Sequence, residues 1–84
     1  KIYKGGLIMI KKINIKGLDD IKAINQAASD CNYDVWLHSK STMVDAKSIL
    51  GLLTLDFNEQ IDLVVEDGVN SKHLFNKLSD YIAK

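Results

Sequence analysis

The sequence predicts an α+β domain: a four-stranded antiparallel sheet with three helices on one face, an open-faced β-sandwich. Three observations carry this. Period-two stretches (Ile13 to Lys16, Tyr33 to His38, Ile61 to Glu66) mark half-buried strands. Helical-period stretches separate them, giving the order β-α-β-β-α-β-α. Finally, 84 residues are enough for one compact domain and too few for two.

In chain order, Ile8, Ile10, Ile13 and Ile15 anchor the first strand, and Lys11-Lys12 interrupts its alternation, so a bulge or late strand start is expected. Gly17-Leu18 turns the chain, and Asp19 or Asp20 caps a helix whose apolar face is Ile21, Ile24, Ala27, Ala28 and Cys31. Asn32 is the expected stop. In Tyr33 to His38, Tyr33, Val35 and Leu37 share one face, and Asp34, Trp36 and His38 the other. A turn at Ser39-Lys40-Ser41 leads to a short strand, Thr42-Met43-Val44, and then to a short helix from Asp45 to Leu53. After a loop at residues 56–60, Ile61, Leu63 and Val65 alternate with Asp62, Val64 and Glu66. Asp67-Gly68 turns, and Asn70 or Ser71 caps a last helix with Leu74, Leu78, Tyr81 and Ile82 inside and Phe75 beside them. The expected core is Ile13, Ile15, Ile24, Ala28, Val35, Leu37, Leu63, Val65, Leu74, Leu78 and Ile82.

Residues 1–8 are set apart from this domain, which is assigned residues 9–84. Lys4-Gly5-Gly6 is what a ribosome-binding sequence AAA-GGA-GGN would encode, and Leu7-Ile8 supply a spacer before Met9. The segment is read as a leader, a tag or a disordered extension.

Composition narrows the function classes. Eleven lysines balance 11 acidic residues, with no arginine, so no basic excess exists to neutralise a nucleic-acid backbone. Cys31 is the single cysteine, which suits a reducing compartment. No apolar run reaches membrane-crossing length, so a cytoplasmic protein without a membrane partner is expected. His38 and His73 are spaced without a metal-ligand pattern, and Cys31 adds none. Gly-rich phosphate loops and Ser-His-Asp order are absent too, so the sequence predicts neither an enzyme nor a cofactor.

Three stretches carry a family resemblance. Gln26-Ala27-Ala28-Ser29 and Tyr33 to Leu37 resemble the end of the first helix and the second strand of the bacterial phosphocarrier HPr. More specifically, Val44-Asp45-Ala46-Lys47-Ser48-Ile49-Leu50-Gly51-Leu52-Leu53 resembles the HPr segment V-N-A-K-S-I-M-G-V-M, its regulatory serine and short helix. The resemblance spans Met9 to Lys84 with shortened loops. It implies the HPr fold and a place in or near the sugar phosphotransferase system.

The carrier motif itself departs. HPr carries phosphate on the histidine of G-[LI]-H-A-R-P-A, where a helix N-terminus and an arginine hold the anion. The matching stretch is Gly17-Leu18-Asp19-Asp20-Ile21-Lys22-Ala23, so Asp19 stands for the histidine, Ile21 for the arginine and Lys22 for the proline. Two carboxylates there repel an incoming phosphoryl donor. Asp19 and Asp20 read as helix-capping residues; an aspartyl-phosphate acceptor is the sharper alternative, with only Lys16 and Lys22 to supply positive charge. His38 lacks a helix N-terminus, and both histidines read as surface residues.

Ser48 has two compatible readings, a helix cap and a kinase target like the HPr serine. Ile49, Leu50 and Leu53 match positions by which HPr docks, and so short a helix cannot bury them together with Leu52. The leading expectation is therefore a non-catalytic HPr-like binding or regulatory module. Its partner would be a protein of phosphotransferase-system or transcription-regulator type, or a second copy of the chain. The alternatives are a phosphocarrier using a non-standard residue and an unrelated small α+β ligand-binding domain.

Overall fold

The structure, a computed structural model, describes residues 2–3, 6–66 and 71–82. Its strands are β1 (Ile2–Tyr3), β2 (Gly6–Ile13), β3 (Trp36–His38), β4 (Met43–Asp45) and β5 (Ile61–Glu66). Its helices are α1 (Leu18–Ser29), α2 (Ile49–Leu52) and α3 (Lys72–Lys77). The sheet order is β1-β2-β5-β3-β4, antiparallel at every pairing. The four strands expected from the sequence are β2, β5, β3 and β4, and β1 adds a two-residue rung outside β2.

Register decides the two faces. Met9, Lys11 and Ile13 of β2 lie opposite Val65, Leu63 and Ile61 of β5, and Leu37 of β3 also lies opposite Leu63. Ile13, Leu37, Ile61, Leu63 and Val65 join Ile21, Ile24, Ala27, Ala28, Leu52, Leu74 and Leu78 in one buried cluster, so the helices cover that face. Val35 completes it, as expected, while Ile15 and Ile82 pack at its edge half-buried. The other face carries the row Ile10, Val64 and Trp36, then the row Lys12, Asp62 and His38. Trp36 stands outside the main core, which confirms the register read from the sequence. Val64 is the exception on this face: it is only 2% exposed yet is not part of the helix-side cluster.

Several local expectations are corrected. Lys11-Lys12 produces no bulge, because β2 pairs without interruption from Ile8 opposite Glu66 to Ile13 opposite Ile61. Lys11 shares the inward parity but stays exposed, a lysine stem keeping its ammonium in water. Strand β2 runs from Gly6 to Ile13, and Ile8, expected among its anchors, lies opposite Glu66. Helix α1 ends at Ser29, with Asp30 rather than Asn32 as its C-cap; the Asp30 and Cys31 N–H groups donate to Gln26 and Ala28 carbonyls. The strand expected from Tyr33 is confined to Trp36–His38, although the Ala46 N–H still donates to the Val35 carbonyl at 2.9 Å, in register with the β3–β4 pairing. The next strand is shifted by one residue, to Met43–Asp45.

Ser71 occupies the N-cap of α3 but makes no capping bond; its buried hydroxyl reaches the Met9 sulfur at 3.9 Å. Asn70 and the Asp67-Gly68 turn lie outside the described residues. Beyond α3 the chain continues as turns, and Ile82 returns to bridge Ile13 while Asn14 donates its N–H to the Tyr81 carbonyl. That contact ties the end of the domain to the end of β2, just before α1 begins.

Candidate functional site

The start of α1 is built from Lys16 to Ile21. Gly17, not an aspartate, is the N-cap residue, with extended backbone and no side chain to offer. The helix solves this from the other side: Asp20, in its third position, accepts the Lys16 backbone N–H at 2.8 Å. This corrects the expected cap, since Asp20 works from inside the first turn rather than ahead of it. Asp19, one residue earlier, is exposed, where a carboxylate also suits the positive end of the helix. Ile21 faces inward and is 2% exposed, so the side chain in the expected arginine position belongs to the core. Leu18, by contrast, is 53% exposed.

The second element is α2. Asp45 folds the approach: its carboxylate accepts the Lys47 N–H at 2.9 Å and its carbonyl accepts the Ser48 N–H at 2.9 Å. This local competition uses up the residues that the sequence assigned to a longer helix, which is why α2 begins only at Ile49. Ser48 then caps it as expected, its Oγ accepting the Gly51 N–H at 3.1 Å. The four-residue helix presents one side chain inward, Leu52, at 1% exposure. Ile49 (38%), Leu50 (74%) and, at the C-cap, Leu53 (50%) face solvent. The sequence argument that these residues could not all be buried is met.

Two long-range bonds fix the α2 approach to α1. The Asn25 amide donates to the Ala46 carbonyl at 3.1 Å, and the Lys47 ammonium donates to the Cys31 carbonyl at 3.0 Å. Ala46 itself is fully buried. The apolar patch thus sits on a short element held at its entry by α1, by β3 and by its own cap. Neither bond was legible in the sequence, because nothing local pairs Asn25 with Ala46 or Lys47 with Cys31. Leu18 and Phe57 (39% exposed) add further exposed apolar surface that the sequence did not single out. Leu18 even has the spacing of the buried stripe with Ile21, yet it stays 53% exposed in the first turn of α1.

Among the described residues, no group of three His, Cys, Asp or Glu side chains is arranged to hold a metal ion. No described helix is long and apolar enough to cross a membrane. His38 and His73 are both exposed. The Cys31 thiol donates to the Ala27 carbonyl at 3.4 Å. The Tyr33 phenol is pushed up to about 12, by burial first and then by its own hydrogen bond and charge interaction with Cys31.

Residues 17–84, from the N-cap of α1 to the end of the chain, match the family model PTS-HPr, the PTS HPr component phosphorylation site. The chain belongs to the PTS-HPr family. Its fold is similar to the crystal structure of a phosphocarrier protein HPr from Bacillus anthracis str. Ames, with a TM-score of 0.68 and 17% sequence identity over 92% of this chain and 96% of that one. That likeness is one of fold, and it places the sheet and helices described above in the open-faced sandwich of HPr. Among curated proteins, none matches the sequence significantly. Membership of the PTS-HPr family replaces the expectation of an unrelated ligand-binding domain.

Proposed function

We propose that this PTS-HPr family member is a non-catalytic binding or regulatory module that no longer carries phosphate on histidine. The observation that carries the reading is the first turn of α1. Its two carboxylates serve the helix end, one of them through a hydrogen bond to Lys16, and Ile21 is committed to the core. A carrier site needs a nucleophile and a cation to hold the phosphoryl group. In this turn carboxylates that repel an incoming phosphoryl donor stand in place of the imidazole, and a buried alkyl chain stands in place of the cation.

Binding then falls to α2. Ile49, Leu50 and Leu53 form an exposed apolar patch beside Ser48, on a helix fixed by its cap and by Lys47 and Asn25. Aliphatic side chains held on a short rigid element suit docking to a protein partner in the cytoplasm. A protein that docks without passing phosphate on acts as a competitor or a sensor for partners of the phosphotransferase system or its transcriptional regulators. Ser48 is the position at which a kinase would adjust such docking, since the phosphate would stand at the start of α2 next to the patch.

The deciding experiment offers the protein to phosphoenolpyruvate with the general phosphotransferase enzyme and, separately, to an HPr serine kinase with ATP. The expected result is no label in the first reaction. Acid- or base-labile label on Asp19, Asp20 or His38 would overturn the proposal in favour of a non-standard carrier. Label on Ser48 in the second reaction would support regulation at α2.

A further inference from the structure

No further inference is drawn: the strongest candidate, the apolar row of Ile10, Val64 and Trp36 with Met43 beside it on the open face of the sheet, carries nothing because nothing in the structure shows what covers it.

Discussion

The Asp20 carboxylate accepts the backbone N–H of Lys16 at 2.8 Å, closing the start of α1 across the glycine that precedes it. A side chain in the third helical position therefore does what the N-cap residue cannot. The same bond ties one of the two acidic residues in the first turn of α1 to a structural task.

Replacing Asp20 should accordingly destabilise the fold. Asp20→Ala removes an acceptor from a helix end and is expected to cost about 0.5–2 kcal/mol, read as a lower urea midpoint with unchanged slope. Asp20→Asn keeps an acceptor oxygen and should lose less. Asp19→Ala, which removes an exposed carboxylate, should lose less than Asp20→Ala; a larger loss at Asp19 would refute the assignment.

On the proposed function, a histidine placed at Asp19 should not by itself confer phosphate carriage. Asp19→His alone is expected to remain unlabelled by the general phosphotransferase enzyme, because Ile21 offers the phosphate nothing. Adding Ile21→Arg places a guanidinium where the chain is 2% exposed, so the double variant should lose on the order of 3–5 kcal/mol of stability. Efficient phosphotransfer by the single variant, followed by labelling, would contradict this account.

The leucines of α2 and its C-cap should separate into two classes. Leu52→Ala empties a core position and is expected to cost about 2–5 kcal/mol in a denaturant melt. Leu50→Ala and Leu53→Ala should change stability by no more than about 0.5 kcal/mol. Against a partner captured from the host, the same two changes should weaken binding by about 1–3 kcal/mol in a titration, with Ser48→Asp also altering affinity. If none of the three changes binding while Trp36→Ala does, the docking surface is the open sheet and not α2.

Asp30 and Lys77 make an exposed ion pair at 2.8 Å between the ends of α1 and α3. The Lys77 ammonium, by hydrogen bond and then by charge, holds the Asp30 carboxyl below its usual 3.8. A carboxyl depressed in the folded state stabilises the fold above its unfolded value and loses that contribution as the pH falls through the folded one. Lys77→Ala should therefore make stability less dependent on pH below 3.8 and leave the alkaline limb alone, which melts across an acid series will read. The effect will be small, because both groups are substantially solvated.

Tyr33 has the opposite dependence at the alkaline end. Its phenol is raised from 10.0 to about 12, so the folded state retains a proton that the unfolded state has lost, and stability should fall as the pH rises from 10.0 to about 12. Spectrophotometric titration should show one of the tyrosines ionising late. Cys31→Ala should bring that transition down only in part, since burial is the larger cause. A full return to ordinary behaviour would show that the thiol dominates.

How much of this was legible depended on how local the cause was. Alternation in Ile61 to Glu66 is a property of the strand itself, and it put Leu63 and Val65 inside without any knowledge of partners. The Ser48 cap was equally local, a hydroxyl three residues from the N–H it accepts. The start of α1 was less legible: two adjacent aspartates are equivalent in sequence, and only the path of Lys16 and Gly17 selects Asp20. The length of α2 was missed because the Asp45 turn and the Val35–Ala46 bond withdraw residues whose own propensities allow helix.

By itself the sequence determined the order of the seven main elements, the inward faces of β3 and β5, and the family that the segment around Ser48 resembles; in β2 it counted Ile10 among the anchors, and Ile10 lies on the open face, 51% exposed. Periodicity and short-range hydrogen bonding act within a few residues, and those are written directly in the chain. The tertiary structure decided what became of the residues in the first turn of α1 and of the leucines in and after α2. Ile21 is core and Leu18 is not, although both fit one helical stripe; Leu52 is core and Leu50 is not, although both are leucines of a four-residue helix. Each of those outcomes turns on which side chain meets another element and which projects past it, and that is set by where β5, α1 and α2 lie against one another.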